Sequence, residues 1–108
     1  KIGATMDIVD NLYEQLQSKY RITQYDYSKN WLKKGKGYFA YLQSSNSKAN
    51  VDVLFGILGE AMKQKALWEK TGKNKHGVDK AVYKQHAEYF GEIQRKAENA
   101  IKQEALSM

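Results

Sequence analysis

The sequence contains no cysteine and no proline. Without cysteine there is no disulfide framework and no cysteine-ligated zinc, and a reducing, cytoplasmic setting is expected. Without proline nothing in the chain forbids long helices. No apolar run approaches the roughly 20 residues of a membrane span, so no membrane partner is expected. No signal-peptide core is visible near the start. The chain opens on Lys1 rather than Met, which leaves open a tag or a segment upstream. Histidine occurs only as His76 and His86. They are ten residues apart with no His-Glu-x-x-His pattern and no other ligand cluster, so neither a metal site nor catalytic residues nor a cofactor is expected. No strand-like alternation persists, and Gly35-x-Gly37 follows no strand that could make it a phosphate loop. The expectation is a protein that is not an enzyme.

What is present fits one small all-α domain. The chain has 108 residues, of which 42% are apolar, enough for a modest core. Its net charge is +6. Between Lys19 and Lys48 seven basic residues stand against the single acid Asp26, a net +6 that equals the charge of the whole chain. The remaining residues therefore sum to zero, and the excess is local. Tyrosine supplies eight of the aromatic residues, and Tyr20, Tyr25, Tyr27, Tyr38 and Tyr41 fall in or beside this basic stretch. A tyrosine can bury its ring and still offer a hydroxyl to a phosphate or base edge.

Five helices are expected. Ile8, Val9, Leu12, Tyr13, Leu16 and Tyr20 recur at helical steps, giving a first helix over 6–20 with Thr5 as its N-cap. Thr23 caps a second over 24–32, in which Tyr27 and Trp31 face inward and Ser28 allows close approach of another helix. A turn through Lys33-Lys34-Gly35 follows, with Gly35 free to take positive φ. A third segment runs from Lys36 or Gly37 to Gln43, with Phe39 and Leu42 inward. After a polar loop, Asn50 caps a fourth helix with a stripe of Val51, Leu54, Ile57, Leu58, Ala61 and Met62, extending toward Trp68. Its Gly56 and Gly59 each cost roughly 1 kcal/mol relative to alanine unless a neighbour packs against them. The far end carries Lys63, Lys65, Lys70, Lys73 and Lys75. Asp79 opens a last helix to Glu104 with a seam of Val82, His86, Tyr89 or Phe90, Ile93, Ala97, and Ala100 or Ile101. The seam suits packing on the domain's own first helix or on a second copy in a homodimer. The expected organisation is a helix-turn-helix domain over 6–70, a linker over 71–77, and a C-terminal helix over 78–106.

Two short helices about a basic turn form the layout of a DNA-reading motif. Over residues 8–62, about half the chain, the sequence resembles the lambda-repressor-like helix-turn-helix family, which includes Cro- and Xre-type phage and bacterial regulators. Ile22-Thr23-Gln24 resembles the family's Leu-Thr-Gln opening of the second helix. Gly35-Lys36-Gly37-Tyr38-Phe39-Ala40-Tyr41-Leu42-Gln43 resembles its recognition helix, and Asn50 to Leu58 its fourth helix. The chain departs from the pattern in five ways, one being Gln43 in place of the usual Glu. Ser28 stands near the usual Ala, Lys33 where Gly is expected, and Ala49 in place of a proline, and the span from Thr23 to Leu42 is one residue longer.

The resemblance implies binding of double-stranded DNA and a role in transcriptional regulation. Lys36, Gly37 and Tyr41 would enter the groove. Lys33 and Lys34 belong to the basic turn, where Lys34, like Lys36, could meet guanine edges or phosphates. Tyr38, Ser44, Ser45, Asn46 and Lys48 would touch backbone, and Gln24 a phosphate at its helix N-terminus. Two other readings stay open. One is a protein-interaction module using the last helix and a patch of Tyr25, Tyr38 and Tyr41. The other is RNA binding, with tyrosines stacked on unpaired bases. The blandest account treats the basic stretch as solvated surface, with Trp31 and Trp68 as core anchors and His86 as a structural seam residue.

Overall fold

The periodic N-terminal stretch folds as helix α1 (Ala4–Tyr20) in a computed structural model that describes residues 4–45 and 47–107. Val9, Leu12 and Leu16 make its buried face. Thr5 is inside the helix rather than capping it, and its hydroxyl donates to Glu104 at 3.1 Å. The chain leaves α1 through Arg21, at φ 57°.

Helix α2 starts as one α-turn, Gln24–Asp26, and continues as a π-helix, Tyr27–Trp31. Thr23 is the N-cap, its hydroxyl accepting the Asp26 amide at 3.1 Å. In the π turn the Leu32 amide reaches back five residues to the Tyr27 carbonyl. A π turn amounts to one residue inserted in an α-helix. Tyr27 and Trp31 are buried as their spacing predicts, and the Tyr27 hydroxyl donates to the Val9 carbonyl at 2.6 Å. The positive φ falls on Lys33 (58°) and not on Gly35. The left-handed residue is needed directly after the last turn of α2, to reverse the chain.

Helix α3 (Tyr38–Ser45) is shifted toward the C-terminus of its expected span, starting after Lys36 and Gly37, which belong to the turn before it, and running two residues past Gln43. Helix α4 (Asp52–Gly72) has Val51 as its cap residue, with no side-chain cap. Asn50 meets the start of the helix through its carbonyl, which accepts the Val53 amide, and not through a side-chain cap. The buried stripe of α4 is Val53, Leu54, Gly56, Ile57, Glu60 and Ala61, while Val51 and Met62 are exposed. A Cβ on Gly56 would stand 2.7 Å from the Trp31 carbonyl oxygen, so this glycine is what lets the end of α2 lie against α4.

Helix α5 (Gly77–Leu106) opens two residues before Asp79 and runs back along α4 and α1. Phe90, Ile93 and Ala97 join the same core as Val9, Leu16, Trp31 and Ile57. Its buried seam also includes Ala87 and Ala100. His86 is half-buried and Val82 exposed. The seam is therefore occupied within one chain, mostly by α4. No strand occurs among the described residues, and no helix is long and apolar enough to cross a membrane.

Candidate nucleic-acid interface

The junction between α2 and α3 is built on Ser28. Its side chain is fully buried, and its hydroxyl accepts the Phe39 amide at 3.0 Å, capping the start of α3. Phe39 then packs edge-on against Tyr27, ring centroids 5.1 Å apart. A larger residue at 28 would push α3 away. With Phe39 and Leu42 inward, Ala40, Tyr41, Gln43 and Ser44 face outward.

The turn lysines are not equivalent. Lys33 Nζ meets Glu60 Oε1 at 3.0 Å, and Gln64 donates to the other oxygen of this carboxylate at 2.9 Å. Glu60 is only 5% exposed, so Lys33 supplies the charge that a buried carboxylate needs. Lys34 Nζ meets Asp52 Oδ2 at 2.6 Å. That hydrogen bond raises the lysine's pKa, and the ammonium also lies 5.6 Å from the centre of the Tyr38 ring. Lys36 has no ion-pair partner among the described residues and sits over the Tyr25 ring at 5.2 Å. Two of the three turn lysines are thus tied to carboxylates of α4, although both keep part of their side chains exposed.

The other sequence candidates are distributed around this turn. Gln24 is exposed in the first turn of α2 and Gly37 is exposed just before α3. Tyr38 is half-buried, and burial pushes its hydroxyl pKa up. Tyr41 is 56% exposed. Ser47 donates to its hydroxyl at 3.3 Å, which holds the Tyr41 pKa below the usual value. Ser44 and Ser45 turn their hydroxyls back onto the Tyr41 carbonyl, at 3.3 and 2.6 Å. Gln43 is tied to Asp10 of α1 at 2.8 Å. Lys48 is exposed in the loop that follows, and Asn46 lies outside the described residues. Gln24, Lys36, Gly37, Tyr41 and Lys48 are therefore the exposed candidates, whereas Lys33 and Lys34 mainly fasten the turn.

The burial of Glu60 was not anticipated from the sequence. The one available signal was its place on the apolar face of α4, three residues after Ile57. The basic far end of α4 expected from Lys63, Lys65, Lys70, Lys73 and Lys75 extends further, to Lys80 and Lys84 on α5, as a second basic region. From Lys63 to Lys84 seven basic residues stand against two acids, Glu69 and Asp79. Acids elsewhere cancel this excess in the whole-chain sum, so the total charge hides it.

The fold defines a class, an all-α domain with five helices among the described residues, in which two short helices joined by a turn, α2 and α3, are held against a long α4–α5 hairpin. The chain belongs to a family of unknown function (DUF6626), whose model matches residues 9–108. No curated protein and no solved structure matches it.

Proposed function

We propose that this chain is a non-enzymatic, cytoplasmic DNA-binding protein of helix-turn-helix type, a transcriptional regulator like the lambda-repressor-like proteins it resembles. The Ser28 joint carries the reading, since it fixes α3 on α2 with its outer face exposed beside a basic turn. Two departures from the family pattern also find a physical account. The extra residue between Thr23 and Leu42 can be placed in the π turn of α2. Lys33, standing where the family has Gly, adopts the left-handed conformation that a glycine would take. Lys36 and Lys48, which have no ion-pair partner among the described residues, offer phosphate contacts with Gln24 and Tyr41 more readily than base contacts. The α5 seam is covered internally, so a homodimer would use the exposed stripe of α4, where Phe55 is 57% and Met62 50% exposed. That stripe, together with exposed Tyr25 and Tyr41, also favours the second reading, a protein-interaction module.

Binding to mixed-sequence duplex DNA across a salt series tests the proposal, with RNA as competitor. Replacing Lys36 and Lys48 by glutamine should weaken binding and flatten the slope of log K against log salt by roughly 0.9 per lysine removed. No binding at low salt removes the DNA reading and leaves the protein-partner one. Preference for RNA would move the same face to an RNA target.

A further inference from the structure

The second basic region lines a groove. Between the last turns of α4 and the first turns of α5 lies a concavity of about 510 Å³, within the ~300–1,000 Å³ typical of small-molecule sites. Lys65, Lys73, Lys80 and Lys84 line it, with Glu69 and Glu88. Lys65 pairs with Glu69 at 3.3 Å. Lys73, Lys80 and Lys84 have no ion-pair partner among the described residues. This is the reverse of the turn, where Lys33 and Lys34 are held by carboxylates.

Helix stability does not explain these cations. Lys73 follows the C-terminus of α4, where positive charge is favoured, but Lys80 lies at the end of the first turn of α5, where the helix dipole disfavours it, and Lys84 lies one turn further on, where the dipole gives it no support. The groove also has an aromatic wall. Trp68 and Tyr83 meet edge to face, ring centroids 5.1 Å apart. Trp68 is backed by His86, stacked at 4.2 Å, and the Tyr20 hydroxyl braces His86 through Nδ1 at 2.6 Å. Gly72 keeps the two helices close, since a Cβ there would stand 3.0 Å from the Tyr83 Cβ.

Unpaired ammonium groups beside a braced aromatic wall suit a ligand with a flat ring and a phosphate. We infer that the α4–α5 groove binds a nucleoside phosphate, with its base against Trp68 and Tyr83 and its phosphates held by Lys73, Lys80 and Lys84. Of the two lining carboxylates, Glu69 is paired with Lys65 and Glu88 opposes the phosphates. This site is independent of the helix-turn-helix reading.

Tryptophan fluorescence of the full chain reports on it directly, because Trp31 is buried in the core and Trp68 lines the groove. AMP and ATP should each give a saturable change in emission. Adenosine and pyrophosphate should bind at least roughly tenfold more weakly, each lacking one half of the contacts. The triple variant Lys73→Gln, Lys80→Gln, Lys84→Gln replaces exposed side chains only, so its helicity should be unchanged while its Kd for ATP rises at least roughly tenfold. Four outcomes would overturn the inference: no saturable change with ATP, an unaltered Kd in the triple variant, pyrophosphate binding as tightly as ATP, or binding by oligonucleotides but not by mononucleotides.

Discussion

Two residues of this chain, Arg21 and Lys33, occupy the left-handed region without being glycine. For an L-residue that conformation costs roughly 1–2 kcal/mol, against the roughly 0.5–1 kcal/mol of backbone entropy that a glycine would add. Their environments differ. Arg21 is exposed and has no ion pair among the described residues, so Arg21→Gly should leave stability unchanged or raise it by about 0.5 kcal/mol. Lys33→Gly relieves the same strain but leaves the Glu60 carboxylate buried with only Gln64 as partner. It should destabilise by about 1–3 kcal/mol. Denaturant unfolding of both variants should show opposite signs. If Lys33→Gly proved neutral, the Glu60 contact would be incidental.

Glycines divide in the same way at the scale of the element. Gly56 and Gly59 lie one turn apart on α4 and look alike in the sequence. Gly56 faces the end of α2, whereas a Cβ on Gly59 would meet nothing within 4 Å. Gly59→Ala should therefore stabilise by up to about 1 kcal/mol, and Gly56→Ala should destabilise by pushing Trp31 and Lys33 off the helix. Thermal unfolding distinguishes them. The contrast shows how far the sequence could be read. Apolar spacing located every helix and the inward placing of Tyr27, Trp31, Phe39 and Leu42, because that information lies within one element. Which α4 residue touches which α2 residue depends on how two elements cross. For that reason Glu60 was not recognised as a core residue, and Val51 and Met62 were expected inside. The exposed members of the candidate site were legible as residue types. The ion pairs of Lys33 and Lys34 with α4 were not, since their partners lie 27 and 18 residues away.

For the whole molecule, α5 is part of the core and not an appendage to it. Burying a side chain such as Phe90 or Ile93 contributes roughly 1.5–3 kcal/mol, while a small domain has a net stability of only about 5–15 kcal/mol. A chain ending at Thr71 should lose cooperative unfolding and most near-ultraviolet circular dichroism. A truncated chain that still unfolds cooperatively would show that α1 to α4 fold without α5. Charge is also arranged at this scale. Lys33 and Lys34 are anchored in the first half of α4, and the groove opens at its last turns. The 21 residues of α4 span about 30 Å, so the two basic regions could hold separate anionic ligands without crowding.

The π turn of α2 also bears on how the chain can change in length. Deleting a residue from an ordinary helix rotates everything after it by about 100°, carrying inward side chains out to solvent. A π turn already holds one residue more than the α-helical register requires. Losing an exposed residue such as Lys29 would close the turn to α-helical geometry and leave Leu32 and the whole of α3 facing as they do now. Within the α2–α3 segment, this is the place where an insertion or deletion can pass through evolution without scrambling the core.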